Sequence, residues 1–298
     1  MLARHLLLVT SLVLAGVSAC SDSTSSDEEP DVAEDTVRDD VSEGTVAAEP
    51  TAAAVEVVYA DDYIADIYAP TQGDSWPVVV TAHGGWSDRT ATSELAQAIS
   101  EHGAVVYNPN LPYGMPYLEM IEHLACVVRF ARTTATDHGG NGDHVTLFGF
   151  SMGAYAGTMV ALSGDDHHVP SCAADTGSGT VDALVAYEGP YNWATSDEHN
   201  NLVPELEQTN PDAWATLNPY SHIGRNENLR VRLLNGVDDD VRINDIRPEA
   251  AEEFEQALAE AGYDVELELI DEASHFIGHP GFAQWEAILD NTIDVMSG

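Results

Sequence analysis

Lysine is absent from this chain of 298 residues: all ten basic residues are arginine, set against 51 Asp and Glu, for a formal net charge of −41. Charge of that sign repels nucleic acid and anionic lipid surfaces, so neither is expected as a direct partner. The excess is spread widely, with 40 acidic residues against eight arginines in residues 55–298. Such a spread describes a solvated, salt-adapted surface rather than a binding site. Cysteine is scarce, with three residues in all, and none sits in a nucleophile motif. No spaced set of His, Cys or carboxylate ligands occurs either. His167-His168 reads as a solvated loop and the run Asp238, Asp239, Asp240 as a turn, so neither a metal nor a cofactor is expected. Long apolar runs are missing too. The run over residues 6–17 has the length of a signal-peptide core and is too short to span a bilayer.

That run follows Arg4 and ends in VSAC at residues 17–20, which resembles the bacterial lipobox. The resemblance implies cleavage before Cys20, a lipid on that cysteine and anchorage at the cell surface. An ordinary secretory peptide cut at the same bond is the alternative, and both readings export the protein. Residues 1–19 are thus a signal peptide, and lipid on Cys20 is the one expected contact with a membrane. Residues 20–54 carry many carboxylates, no aromatics and no periodic apolar face, and read as a disordered tether. In an exported chain the remaining cysteines, Cys126 and Cys172, are expected to form a disulfide.

The folded part, residues 55–298, alternates short apolar strands with amphipathic segments. A hairpin turns at Asp61-Asp62, and strands follow near residues 77–82, 104–107, 145–148, 181–187, 230–234 and 265–270. Helical spacing covers residues 90–102, capped by Ser93 or Thr92, then 117–134, 248–261 and 281–296. Residues 137–143 read as a loop. Residues 189–228 lack a period and form a short cap segment. Strand–helix alternation implies a mostly parallel central sheet with helices on both faces and ligands at the carboxyl ends of its strands.

Three pieces of chemistry fall at such ends. GFSMG places Ser151 between Gly149 and Gly153 on a strand-to-helix turn so tight that side chains at either glycine would strike neighbouring backbone. NGVDDD and EASHF follow later strands. The order Ser, Asp, His, with HGGW at residues 83–86 ahead of it, resembles the α/β-hydrolases of the esterase/lipase group from residue 55 to the C-terminus. The run NPYSHIGRNENLRVRLLNGVDD also resembles that group's approach to its acid-bearing strand.

The resemblance implies an α/β-hydrolase fold and a serine esterase, a monomer acting on small or polymer-borne esters. Serine needs a base to take its proton, so Ser151 is the nucleophile and His275 the general base and acid. Asp239, three residues after Gly236, is the expected partner of that histidine; Asp238 is the runner-up and Asp240 a distant third. The Met152 N–H is one oxyanion donor, with Trp86 or Gly85 supplying the other, although HGGW has one glycine fewer than the group's HGGG. His83 is expected to brace that loop. Tyr191 and Trp193, with Trp86, are candidates to line the substrate pocket, core packing being the equal alternative. The short cap favours short acyl chains or polysaccharide-borne acyl groups. A serine peptidase of the same fold and a noncatalytic surface lipoprotein are the rivals; the chain lacks the propeller domain of the prolyl oligopeptidase type.

Overall fold

Apolar residues that alternate along a strand send side chains to opposite faces, and a sheet buried on both faces needs both sets covered. The computed structural model, which describes residues 54–112, 117–174, 176–191, 210–237 and 246–298, has that form. Eight strands, β1 (Val55–Ala60), β2 (Tyr63–Tyr68), β3 (Trp76–Ala82), β4 (Val105–Pro109), β5 (Gly140–Phe150), β6 (Ala183–Tyr187), β7 (Arg230–Gly236) and β8 (Asp264–Ile270), make one sheet in the order β1-β2-β4-β3-β5-β6-β7-β8. β2 is antiparallel to β1 and β4, while β3 to β8 pair in parallel. Among the described residues the helices are α1 (Ser93–Glu101), α2 (Leu118–Thr134), α3 (Met152–Ser163), α4 (Pro211–Leu217), α5 (Pro248–Glu260) and α6 (Ala283–Met296).

The two faces are sealed by separate sets of side chains. In β3, Val78, Val80 and Ala82 join α2, α3 and α5 in one core, while Val79 joins α1 and α6 in the other. Full burial of such a side chain contributes about 1.5–3 kcal/mol. α3 is wrapped almost entirely by protein, as its near-uniform apolar sequence requires. The helix that follows Ser151 is therefore held on every side.

Several element boundaries differ from the sequence reading for local reasons. The loop expected at residues 137–143 becomes a 3-10 turn (Ala135–His138) and the start of β5, because Trp76 pairs with Gly140 and donates its N–H to Gly139 O at 3.1 Å. Thr92 holds the N-cap position of α1, but its hydroxyl makes no capping bond and donates instead to Asn108 Oδ1 at 2.6 Å. A 3-10 turn (Arg89–Thr92) leads into α1, capped by Asp88 accepting from the Thr90 N–H at 2.9 Å. His167 is buried, not part of a solvated loop, and its partner is Ser163. Cys126 and Cys172 are joined as a disulfide with Cα atoms 5.6 Å apart, tying α2 to the segment after α3. The leader, Cys20, the tether and the cap residues 192–209 lie outside the described residues.

Candidate active site

A nucleophile raised above a sheet needs a turn that ordinary side chains would block. If Gly149 carried a Cβ it would lie 2.4 Å from Gly153 O, and a Cβ on Gly153 would lie 2.2 Å from Ala82 O. Close approach, rather than any special φ, is what makes both positions glycine. Ser151 itself sits at φ 54°, ψ −119°, a conformation costing about 1–3 kcal/mol that surrounding contacts must hold. Its N–H donates to Tyr187 O at 2.9 Å and its carbonyl accepts from the Tyr155 N–H at 3.0 Å. Three other non-glycine residues at positive φ, Trp86, Glu188 and Glu272, lie on the loops around Ser151. Backbone strain is thus concentrated at the carboxyl end of the sheet.

The histidine comes from the turn after β8. His275 Nε2 lies 3.0 Å from Ser151 Oγ, and Nδ1 lies 2.6 Å from Glu188 Oε2. An ionised carboxylate only accepts, so Nδ1 carries the proton and Nε2 is left to accept from the serine hydroxyl. Glu188 follows β6 directly and is fully buried. Its other oxygen accepts from the Gly236 N–H at 3.1 Å, and its own N–H donates to Leu234 O at 2.9 Å. Gly236 is required there, since a Cβ would meet Ala273 O at 2.6 Å and Glu188 Oε1 at 2.7 Å. Phe150 packs on the imidazole with ring centroids 5.0 Å apart and stacks on Tyr187, whose hydroxyl donates to Ser274 O at 2.9 Å. The histidine turn is fixed from both sides.

Among the described residues, the carboxylate on His275 Nδ1 is Glu188, a residue the sequence reading did not name. Asp239, Asp238 and Asp240 lie outside the described residues, and the Nδ1 position is taken by Glu188 from the preceding strand. The sequence offered a signal for it: an acidic residue immediately behind the buried run ALVAY, followed by Gly-Pro.

HGGW lies beside the elbow. A Cβ on Gly84 would approach the Phe150 ring to 3.1 Å and Ser151 Cβ to 3.4 Å, so this loop's backbone passes in contact with Ser151. His83 is buried and braces the loop as expected: Nε2 accepts from the Leu111 N–H at 3.0 Å, which leaves Nδ1–H to donate to Gly84 O at 2.8 Å. Burial pushes its basicity down, keeping the ring neutral. Ser87 Oγ donates to the same carbonyl at 2.8 Å. Trp86 projects from the loop, 84% exposed. Met152 opens α3, so its N–H has no acceptor within the helix.

Tyr191 is the clear departure among the substrate-pocket candidates. It is fully buried, stacks on Phe254 with centroids 4.8 Å apart, and donates its hydroxyl to Ala186 O at 3.2 Å. It is a core residue. Trp193 lies outside the described residues.

A parallel sheet carrying a strained serine elbow, followed by a histidine and a carboxylate in hydrogen-bonded series, defines the class as an α/β-hydrolase. Residues 65–256 match the BD-FAE family, and the chain belongs to that family of α/β-hydrolase esterases; it is a carboxylic ester hydrolase by class. Among solved structures, the chain is similar to a truncated carbohydrate esterase from gut microbiota, at 16% identity and TM-score 0.70, over 85% of this chain and 98% of that one. It is likewise similar to the propionate-bound esterase Est2 of the planctomycete Thermogutta terrifontis, at 17% identity and TM-score 0.68, over 82% and 93%. A bifunctional GH43-CE protein of Bacteroides eggerthii matches at 21% identity and TM-score 0.66, over 82% of this chain and 38% of that one. No curated protein sequence matches the chain.

Proposed function

We propose that the chain hydrolyses carboxylic esters through an acyl-enzyme, with Ser151 as nucleophile, His275 as general base and then acid, and Glu188 as the carboxylate behind it. The observation that carries this reading is the unbroken series Ser151 Oγ, His275 Nε2, His275 Nδ1, Glu188 Oε2, at 3.0 and 2.6 Å. As Ser151 Oγ attacks the ester carbon, its proton passes to Nε2. Glu188 holds the tautomer that can accept it and stabilises the imidazolium. The Nε2 proton then goes to the departing alkoxide, leaving an acyl-serine and free alcohol. A water next loses a proton to Nε2 and adds to the acyl carbon. The collapsing intermediate releases the acid while Ser151 regains its hydrogen.

The oxyanion is assigned to the N–H groups of Met152 and Gly85, one such donor being worth about 3 kcal/mol. His83 and Ser87 both draw Gly84 O to themselves. In a trans peptide the N–H points away from the carbonyl, so these two bonds turn the Gly85 N–H the opposite way. Gly85 is preferred to Trp86 on that ground.

We assign short acyl groups on carbohydrate as the substrate class, by likeness to the carbohydrate esterase and to the esterase holding propionate. Export and a lipid on Cys20, with residues 20–54 as tether, are part of the same reading, resting on VSAC and the acidic segment behind it. The test is a fluorophosphonate probe on the wild type and on Ser151→Ala, followed by p-nitrophenyl esters from acetate to palmitate. Labelling confined to the wild type, with turnover best on short esters, is expected. Labelling that survives in Ser151→Ala overturns the nucleophile, and no turnover by either protein favours a binding lipoprotein. Fatty-acid labelling of cells, lost on Cys20→Ser, tests the anchor.

A further inference from the structure

The far end of α3 opens on a second cavity. Ser163 closes this helix as Ser151 caps its start, and at 1.5 Å per residue the two lie about 18 Å apart along its axis. Beside Ser163, His167 and His222 line an open recess of about 410 Å³, with Leu118 and Glu122 from the start of α2, Thr216 from α4, and Arg225. Such a volume is within the usual range for a small-molecule site. Both imidazoles are 4% exposed, and the hydrogen bonds fix how each ring presents itself. Ser163 gives its one hydroxyl hydrogen to Met159 O at 2.9 Å, so at 3.2 Å it accepts from His167 Nε2–H. His222 Nε2–H donates to Thr216 O at 2.9 Å. A neutral imidazole has one N–H and one lone pair, so Nδ1 of each ring is an acceptor. His222 Nδ1 is buried without a donor, and no described residue donates to His167 Nδ1. Folded chains rarely leave acceptors of buried side chains unmatched, and two on one cavity point to an absent donor.

The surroundings define the donor's charge. Burial pushes both rings down, and Arg225 adds to this against Asp166. A place that resists a bound proton resists an ammonium group for the same reason. A metal ion would need more ligands, and no group of three or more occurs among the described residues. An anion is opposed by Glu122, and Arg225 is already paired with Asp166. A neutral molecule remains, with hydroxyl hydrogens for the two imidazoles and hydroxyl oxygens for the donors Ser221 and Arg225. Leu118 and Ala215 on the same wall suit its carbon face.

We infer that the recess between α2, the end of α3 and α4 is a binding site for a neutral polyhydroxylated ring, whose hydroxyls donate to Nδ1 of His167 and of His222. The site is separate from the triad and does not depend on the esterase reading. Glucose, xylose and myo-inositol, and the hexasaccharides of glucose and xylose, are titrated into the full chain while its imidazole nitrogens are followed by nitrogen NMR. Glucuronate, protonated glucosamine and Zn²⁺ are the charged arms, and signals are assigned by their loss in His167→Gln and His222→Gln. At least one neutral compound is expected to saturate the chain and to move both Nδ1 signals toward hydrogen-bonded values. A hexasaccharide that binds tenfold tighter than its monomer marks a unit of a polymer as the source, and equal binding marks a free sugar. Ala215 is exposed on α4, so Ala215→Trp obstructs the recess without touching a buried group and should raise the Kd tenfold or more. His222→Phe should do the same, and Ala215→Trp keeps the test decisive where thermal unfolding shows that His222→Phe is not folded. The inference is overturned if no neutral compound binds, if a charged arm binds as tightly, if the two Nδ1 signals stay in place, or if folded Ala215→Trp keeps the wild-type Kd.

Discussion

Helix α3 has a serine–histidine pair at each end, and the two could hardly differ more. At its N-terminus Ser151 meets His275 Nε2 at 3.0 Å, and at its C-terminus Ser163 meets His167 Nε2 at 3.2 Å. Among the described residues, only the first has a carboxylate on Nδ1. His167 instead is pushed down to about 4, first by burial and then by the neighbouring His222, with Arg129 and Arg225 working in the same direction against Asp166. The serines differ as well. Ser151 stands on a strained elbow, whereas the Ser163 hydroxyl is committed to Met159 O at 2.9 Å within an ordinary helical turn. Proximity of a hydroxyl and an imidazole is therefore not enough. Reactivity needs the carboxylate that fixes the tautomer, and a backbone that holds the hydroxyl out of its own helix.

The largest effect should separate the pairs outright. Ser151→Ala should lower kcat by roughly 10⁵–10⁶-fold, read with p-nitrophenyl acetate. A loss under a hundredfold would remove Ser151 from the chemistry. Next comes Gly236→Ala, whose added methyl would crowd Glu188 Oε1 at 2.7 Å and Ala273 O at 2.6 Å. Displacing the carboxylate should cost about 10²-fold in kcat, and unchanged kinetics in a folded variant would contradict the role given to Glu188.

The buried pair should show itself in stability rather than rate. Above the ordinary histidine value of 6.5, His167 is neutral in both folded and unfolded chains and contributes no pH dependence. Between 6.5 and about 4 the unfolded chain takes the proton and the folded one does not, so stability is lost as the pH falls. The stability difference between wild type and His167→Gln should shift by about 2 kcal/mol against the wild type from pH 7.5 to pH 4.5. A difference independent of pH would mean that His167 is not held neutral.

Screening acts on both ends of α3 alike. With 40 acidic residues against eight arginines over residues 55–298, raising KCl from 0.1 to 2 M should raise Tm by on the order of 5 °C. A Tm that falls would show that repulsion is not what limits the fold. The smallest effect is assigned to Ser163→Ala, whose kcat/KM should stay within twofold of wild type.

Much of this contrast was legible in the sequence. Ser151 could be read because an elbow needs Gly149 and Gly153 at fixed offsets, and His275 because chain order placed it after the last strand. The strands were legible from their apolar runs. Glu188 was not, since a burial pattern cannot tell which of two neighbouring strand ends faces the imidazole, and the triple aspartate after β7 stood where chain order looks for an acid. Tyr191 was ambiguous for a similar reason: its stacking on Phe254 is a contact across 63 positions of chain that no local pattern encodes. The start of β5 depended on Trp76, which is just as distant in sequence. The local chemistry of turns is written locally, and the choice of partner is made by the sheet.

The central claim is that a carboxylate from the end of β6 sets the working pair apart from the idle one. Its most direct test is kcat for p-nitrophenyl acetate in Glu188→Gln beside Asp239→Asn. The account predicts a loss of about 10⁴-fold in the first and less than tenfold in the second; a larger loss in Asp239→Asn would contradict it.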